Sequence, residues 1–131
     1  MSVEKVILDR MKAFIELNSL INGRIYNGVA PDKCAYPLVM FQGIGETRSQ
    51  TMGGESGLIR ARYQFDVYTR DQVERITVST ALKKAFRNWS DETTIPKIEA
   101  CYIESASDGF EKNEELYRKR IDIEVNYLES L

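Results

Sequence analysis

The stretch Leu58–Thr69 alternates so regularly that it fixes both the kind of element and its register. In an extended chain Ile59, Ala61, Tyr63, Phe65 and Val67 fall on one side. Leu58, Arg60, Arg62, Gln64, Asp66 and Tyr68 fall on the other. A slip of one residue would put two arginines in the core and the apolar set in water, so the register is tightly specified. Burying Ile59, Phe65 and Val67 stabilises the fold by roughly 1.5–3 kcal/mol each. The opposite face is left for water or for another protein.

The period then changes from 2 to 3.6. Asp71 and Glu74 have the spacing of a capping box, which predicts a helix opening there. Val78, Leu82, Ala85, Phe86 and Trp89 share one narrow stripe at helical spacing, the expected core face. Val73 and Ile76 lie on the far side with Thr77, Thr80 and Lys84. They either pack under the first helix or an overlying loop, or they form a second contact surface toward a neighbouring copy of the chain.

The length of 131 residues suits a single domain with one core over residues 1–131. Hydrophobic residues at 43% and charged residues at 29% place it in the ordinary globular range. The net charge of −2, with acids and bases mixed along the chain, argues against sequence-specific nucleic-acid binding, which would need a basic surface to neutralise phosphates. No apolar run approaches the roughly 20 residues of a membrane helix, so no membrane is expected among the partners. The N-terminus opens an amphipathic helix rather than a secretory signal, which predicts a protein made and kept in the cytoplasm.

The chain contains no histidine, which removes Ser-His-Asp and Cys-His nucleophiles and most zinc sites. Cys34 and Cys101 read as small buried hydrophobes rather than a disulfide. No catalytic residue, metal site or cofactor is indicated.

Ser2 can cap a first helix, with Glu4 near its positive end. Val3, Val6, Ile7, Met11, Phe14 and Ile15 recur at helical spacing, giving one amphipathic helix to about Leu17 or Leu20. Asn22-Gly23 ends it in the left-handed manner. A connector follows, with a short extended piece at 24–26 and prolines at 31 and 37. Leu38–Ile44 forms a strand that is apolar on both sides, as in a well-covered position.

Between Gly45 and Gly57 the sequence is polar and glycine-rich and predicts a long mobile loop. Gly43-Ile44-Gly45 fails as a dinucleotide fingerprint, because the third glycine and the following helix are missing. After the second helix, Lys97–Ser105 alternates with Ile98, Ala100 and Tyr102 on one face and Cys101 and Ile103 on the other. The acidic run at Glu111, Glu114 and Glu115 reads as a solvated hairpin tip rather than a carboxylate cluster. In the last strand Tyr117, Ile121, Ile123, Val125 and Tyr127 alternate with Arg118, Arg120, Asp122, Glu124 and Asn126. If it runs antiparallel beside Leu58–Thr69, arginines of each strand lie opposite acids of the other.

The sum is an α+β fold of order α-β-β-α-β-β. It predicts a four-stranded, mainly antiparallel sheet with two helices packed on one face and the other face open.

The order of the pieces, with Gly23-Arg24-Ile25-Tyr26, Pro31, Tyr36-Pro37 and the run from Tyr63 to Asp71, resembles the phage tail-completion proteins, also called head-to-tail joining or tail-terminator proteins. The resemblance covers nearly the whole chain and is best from about Gly23 to Trp89. It implies a non-enzymatic virion component, made in the host cytoplasm, that sits at the head–tail junction of the phage or prophage tail. It implies a homo-oligomeric ring, commonly hexameric, that closes the tail tube and meets the head connector proteins. A ring uses a heterologous interface. For that interface the candidate residues are Arg60, Arg62, Val73, Ile76 and Thr80. The expected tube- or connector-contacting loop lies within 46–56 and carries Arg48, Gln50, Met52, Gly53, Gly54 and Glu55.

Two other readings compete. A cytoplasmic ligand-binding or regulatory α+β domain would need a concave pocket with convergent polar groups. An enzyme would need Asp, Glu, Lys, Tyr or Cys in a buried cleft, and no paired carboxylates are placed for that.

Overall fold

The computed structural model describes residues 2–51 and 54–129, with the backbone alone described over 49–51 and 54–56. The element order is α1 (Val3–Ala13), α2 (Ile15–Ile21), β1 (Ile25–Asn27), β2 (Leu38–Thr51), β3 (Gly54–Thr69), α3 (Gln72–Phe86), β4 (Lys97–Glu111) and β5 (Leu116–Leu128). The strands form one five-stranded sheet in the order β1-β2-β3-β5-β4. All neighbours are antiparallel except β1 and β2, which are parallel. The expected four strands and two helices therefore become five strands and three helices among the described residues.

The extra helix comes from a break at Phe14. Ser2 caps α1 by accepting a bond from the Lys5 amide, as its sequence position predicts. At Phe14 the backbone turns extended (φ −81°, ψ 96°) and the helix restarts. The Arg10 guanidinium lies over both the Phe14 and Trp89 rings and donates to the Ala85 carbonyl, tying the break to the end of α3. The restart turns Ile15 out to 80% exposure, whereas Leu17 and Ile21 are buried. The apolar stripe of one continuous helix thus fails at Ile15. Asn22 and Gly23 are both left-handed, as expected.

The extra strand is the short extended piece at 24–26, which becomes β1 by pairing Ile25–Val39 through Asn27–Phe41. It was too short to be read as a strand from periodicity.

The core face of β3 is as the alternation requires: Ile59, Ala61, Tyr63, Phe65 and Val67 are all buried. They meet Val78, Ala81, Leu82, Ala85 and Phe86 of α3 and Val6, Ile7 and Met11 of α1. Phe65 lies between Phe41 and Phe86, with ring centroids 5.7 and 5.2 Å away. Asp71 takes the N-cap position of α3 but makes no side-chain cap bond. Its carbonyl instead accepts from the Thr69 hydroxyl at 2.8 Å. The capping box is therefore absent.

Two expectations about strands change. The glycine-rich loop is largely a β-ribbon: β2 runs to Thr51, β3 begins at Gly54, and their pairing extends to Thr51–Gly54. The β2 arm is exposed throughout 42–48, so the burial-linked periodicity that marks strands is missing from its sequence. In β4, register shifts at Glu99 and Glu104 break strict alternation, so Ile98, Cys101 and Ile103 share the core side. Tyr102 is turned outward at 50% exposure. The strand also runs on to Glu111, where a connector was expected.

Both cysteines are free; Cys101 is fully buried and Cys34 half-buried. Burial pushes the Cys101 thiol up to about 12, so it behaves as a small hydrophobe rather than a nucleophile. Among the described residues, no helix is long and apolar enough to cross a membrane.

Candidate functional site

All three helices cover one side of the sheet, and the other side carries the alternate residues of β2, β3, β5 and β4. The registers place these residues in rows across the strands. Met40–Asp66–Arg120–Ser107 is one row, and Gln42–Gln64–Asp122–Ser105 is the next. Gly45–Arg62–Glu124–Tyr102 and Thr47–Arg60–Asn126–Ala100 follow toward the ribbon. The sequence expectation that β3 and β5 run antiparallel side by side is met, but only one arginine of each pair faces an acid: Arg62 lies opposite Glu124 and Arg120 opposite Asp66, whereas Arg60 faces Asn126 and Arg118 faces Tyr68.

Contacts follow that register at only one end. Arg120 donates from Nε to Asp66 Oδ1 at 2.9 Å, and that bond holds the guanidinium above its ordinary pKa. Asp66 is 7% exposed, so its charge is tied down by this partner. Arg118 donates to Glu111 at 2.5 Å and lies against Gly109, where a Cβ would come within 2.6 Å of its Nη2. A glycine is required there for the arginine to lie flat over β4.

Toward the ribbon the arrangement differs. Arg60 and Arg62 are exposed and make no hydrogen bond or ion pair among the described residues. The Arg62 guanidinium leans over Gly45, whose missing side chain would reach to 3.7 Å from Nη2, rather than across to Glu124. The two neighbouring arginines of β3 therefore stand free.

Where the connector 28–37 crosses this face, its first-strand end is covered. Leu38 and Leu116 are 1% and 5% exposed there. A small apolar cavity of about 110 Å³ lies between Ala30, Cys34, Tyr36, Leu38, Met40, Tyr68 and Leu116. This cover explains why β2 begins apolar on both sides. A polar cavity of about 160 Å³ next to it is lined by Gln42, Gln64, Asp66 and Arg120 among others. Both are small against the roughly 300–1,000 Å³ of ligand pockets. A groove of about 410 Å³ lies at the β4–β5 tip between Arg70, Phe110, Lys112, Glu115 and Tyr117.

The second stripe of α3 stays uncovered. Val73 is 67% and Ile76 57% exposed, and Thr80 is exposed beside them. The first helix and the loops do not pack on it. It is separated from Arg60 and Arg62 by the thickness of the domain, because α3 and the free arginines lie on opposite sides of the sheet. The interface candidates thus divide into two surfaces.

On the ribbon, Arg48 faces the helix side, opposite Ile59. It forms a two-bond pair with Glu129, at 2.5 and 2.8 Å, and holds that carboxyl below its usual range. This link between the ribbon and the C-terminal end was not anticipated, since nothing in local spacing relates residues so far apart. Gln50, Gly54 and Glu55 lie on the paired arms of the ribbon. Met52 and Gly53 lie outside the described residues. Among the described residues, no group of three or more His, Cys, Asp or Glu is placed to hold a metal.

No curated protein matches the chain. Among solved structures it is similar to a chain from the "Virion of native gene transfer agent (GTA) particle", with a TM-score of 0.79 at 12% identity, over 93% of this chain and 91% of that one. At that identity the likeness establishes a shared fold. The family model described as tail completion protein gp17 matches residues 5–128, nearly the entire length. The chain therefore belongs to the tail completion protein gp17 family of phage tail-completion proteins.

Proposed function

We propose that this protein is a non-enzymatic phage or prophage virion assembly protein that caps the tail tube and forms the head–tail joining interface. It works as a single domain over residues 1–131, in a closed ring of identical subunits, six in the assembled tail. Its partners are the tail tube protein and the head connector proteins, met in the host cytoplasm during assembly and retained in the virion.

The observation that carries this reading is the family match over residues 5–128, on a fold shared with a chain of a gene transfer agent virion. The surfaces fit a ring subunit. Placing all helices on one side leaves a charged sheet face open and an apolar stripe on α3 unburied, two different patches such as a heterologous contact needs. The β2–β3 ribbon projects past the core and suits a segment that meets the tube or connector.

Deleting residues 50–55 tests the ribbon's role. The deletion removes the paired positions 50–51 and 54–55 with the two residues between them and no residue of the hydrophobic core, so the circular dichroism spectrum and melting temperature are expected to stay near those of the intact protein. Complementation of a phage lacking the gene should fall by orders of magnitude, with unjoined heads and tails visible by electron microscopy. Normal yields of infectious particles would remove the ribbon from joining. Intact tails that never carry the protein at their ends would remove the capping role itself.

A further inference from the structure

On the open face, the free pair Arg60 and Arg62 has no acidic partner within its own chain among the described residues. The chain also carries two acids in the complementary condition. Glu114 and Glu115, at the turn between β4 and β5, are exposed, and among the described residues neither carboxylate makes an ion pair. Glu115 is left-handed (φ 55°), which holds the turn out as a tip. Their neighbour Glu111 is already bonded to Arg118, so it is not the free acid of the group.

The two patches cannot meet within one molecule. Arg62 stands opposite Glu124 in the backbone register, and the tip lies nine residues back along β5 from that position. At about 3.3 Å per residue the separation is about 30 Å, far beyond the reach of an arginine. A basic patch at one end of the sheet and an acidic tip at the other are different surfaces on one subunit. That is the arrangement a head-to-tail contact between copies requires.

We infer that Glu114 and Glu115 of one copy dock on Arg60 and Arg62 of the next, forming the polar contact that sets the order of subunits around the ring. The inference rests on the ring reading given above and names the occupant of the free arginines as a second copy of this chain. Two acids facing two arginines give charge-assisted hydrogen bonds with directional geometry. Because the pairs are exposed, the contact weakens as salt rises past about 0.15 M.

Two double variants test it: Arg60→Glu/Arg62→Glu and Glu114→Arg/Glu115→Arg, each checked for folding by circular dichroism. All four side chains are exposed, so both variants are expected to fold. Each alone puts like charges in apposition and is expected to weaken association at least about tenfold. Association is read by sedimentation velocity across concentrations and by occupancy of tail ends in electron micrographs. An equimolar mixture should recover it. The reversed patch of the first variant then meets the reversed tip of the second, and the native patch of the second meets the native tip of the first. Such alternation closes in any even-numbered ring. A chain carrying all four substitutions should recover it as well.

Association of either double variant at the native level overturns the contact. Loss in both variants without recovery in the mixture or the fourfold variant also overturns it, and assigns the arginines to an acidic surface of another tail or head protein. Failure of the capping role looks different. The native chain then associates in solution with the predicted charge dependence but leaves tail ends bare. If the native chain neither associates nor occupies tail ends, contact and capping fall together.

Discussion

The two arginine pairs of the open face have nearly the same sequence setting and opposite structural fates. Arg118 and Arg120 on β5, and Arg60 and Arg62 on β3, each sit two residues apart on the polar side of a strand, on strands that pair with each other. The β5 pair is consumed: Arg120 by Asp66 and Arg118 by Glu111. The β3 pair is left in solvent. The cause is local. Asp66 is nearly buried beneath the connector end of the face, where an unpaired carboxylate would be costly, so its partner is fixed. Glu124, opposite Arg62, is half-buried and Arg62 itself is exposed, so pairing the two flexible side chains gains little. Arg62 leans instead across the side-chain-free position at Gly45. Burial fixes the Asp66 pair, but Arg118 reaches diagonally to Glu111, whose side chain is 38% exposed, so neither register nor burial alone decides which charges bind.

The largest expected effect separates the pairs by stability. Asp66→Ala leaves Arg120 without its partner in a half-buried setting and should cost about 1–3 kcal/mol in urea unfolding, with association unchanged. The exposure of Arg120, whose side chain is 38% accessible, argues for the lower part of that range. Arg60→Ala with Arg62→Ala should stay within about 0.5 kcal/mol of the native stability. Equal losses in the two variants would mean that the arginine pairs are not distinct. A melting series on both, at matched salt, decides it.

A smaller effect asks whether the free arginines are the whole of the contact surface. Ile76 is 57% exposed on the far side of the domain, with Val73 and Thr80 beside it. Ile76→Asp should leave the circular dichroism spectrum unchanged and weaken association by about 1–2 kcal/mol, roughly five- to thirtyfold. Association at the native level would restrict the interface to the open sheet face and its acidic complement.

Much of this arrangement is legible in the sequence. The alternation of Leu58–Thr69 and of Tyr117–Tyr127 specified both buried faces, whereas the row that brings Asp66 to Arg120 is set by the register between the strands. The stripe Val78–Phe86 was readable because helical spacing and burial agree there. What stayed hidden had no periodic signal. The ribbon is polar on both sides, so its strands read as loop. Bulges at Glu99 and Glu104 disguise the core side of β4. The break at Phe14 is accompanied by Arg10 bridging to Ala85, a contact between residues far apart in sequence. The fates of the arginines were equally hidden, because residue type gives the charge but not which acid each side chain reaches.

A third arginine sharpens the comparison by a smaller effect, one read in pH. Arg48 stands at the same end of the molecule as Arg60 and Arg62 but faces the helix side, and it is tied to Glu129 by two bonds. Those bonds hold the Glu129 carboxyl below its ordinary value of 4.5. A carboxyl whose pKa is lower folded than unfolded contributes stability that is present above the unfolded value and is lost as pH falls through the folded one. Native stability should therefore decline more steeply below about pH 4.5 than that of Glu129→Gln, which has no proton to take up at this position. Arg60→Ala and Arg62→Ala, lacking a carboxylate partner, should follow the native acid profile without a change of slope. Parallel acid profiles for the native chain and Glu129→Gln would mean that the Arg48 link does not hold in solution. The ribbon would then be joined to the C-terminal end by backbone pairing, through the Glu129 amide and the Gly57 carbonyl.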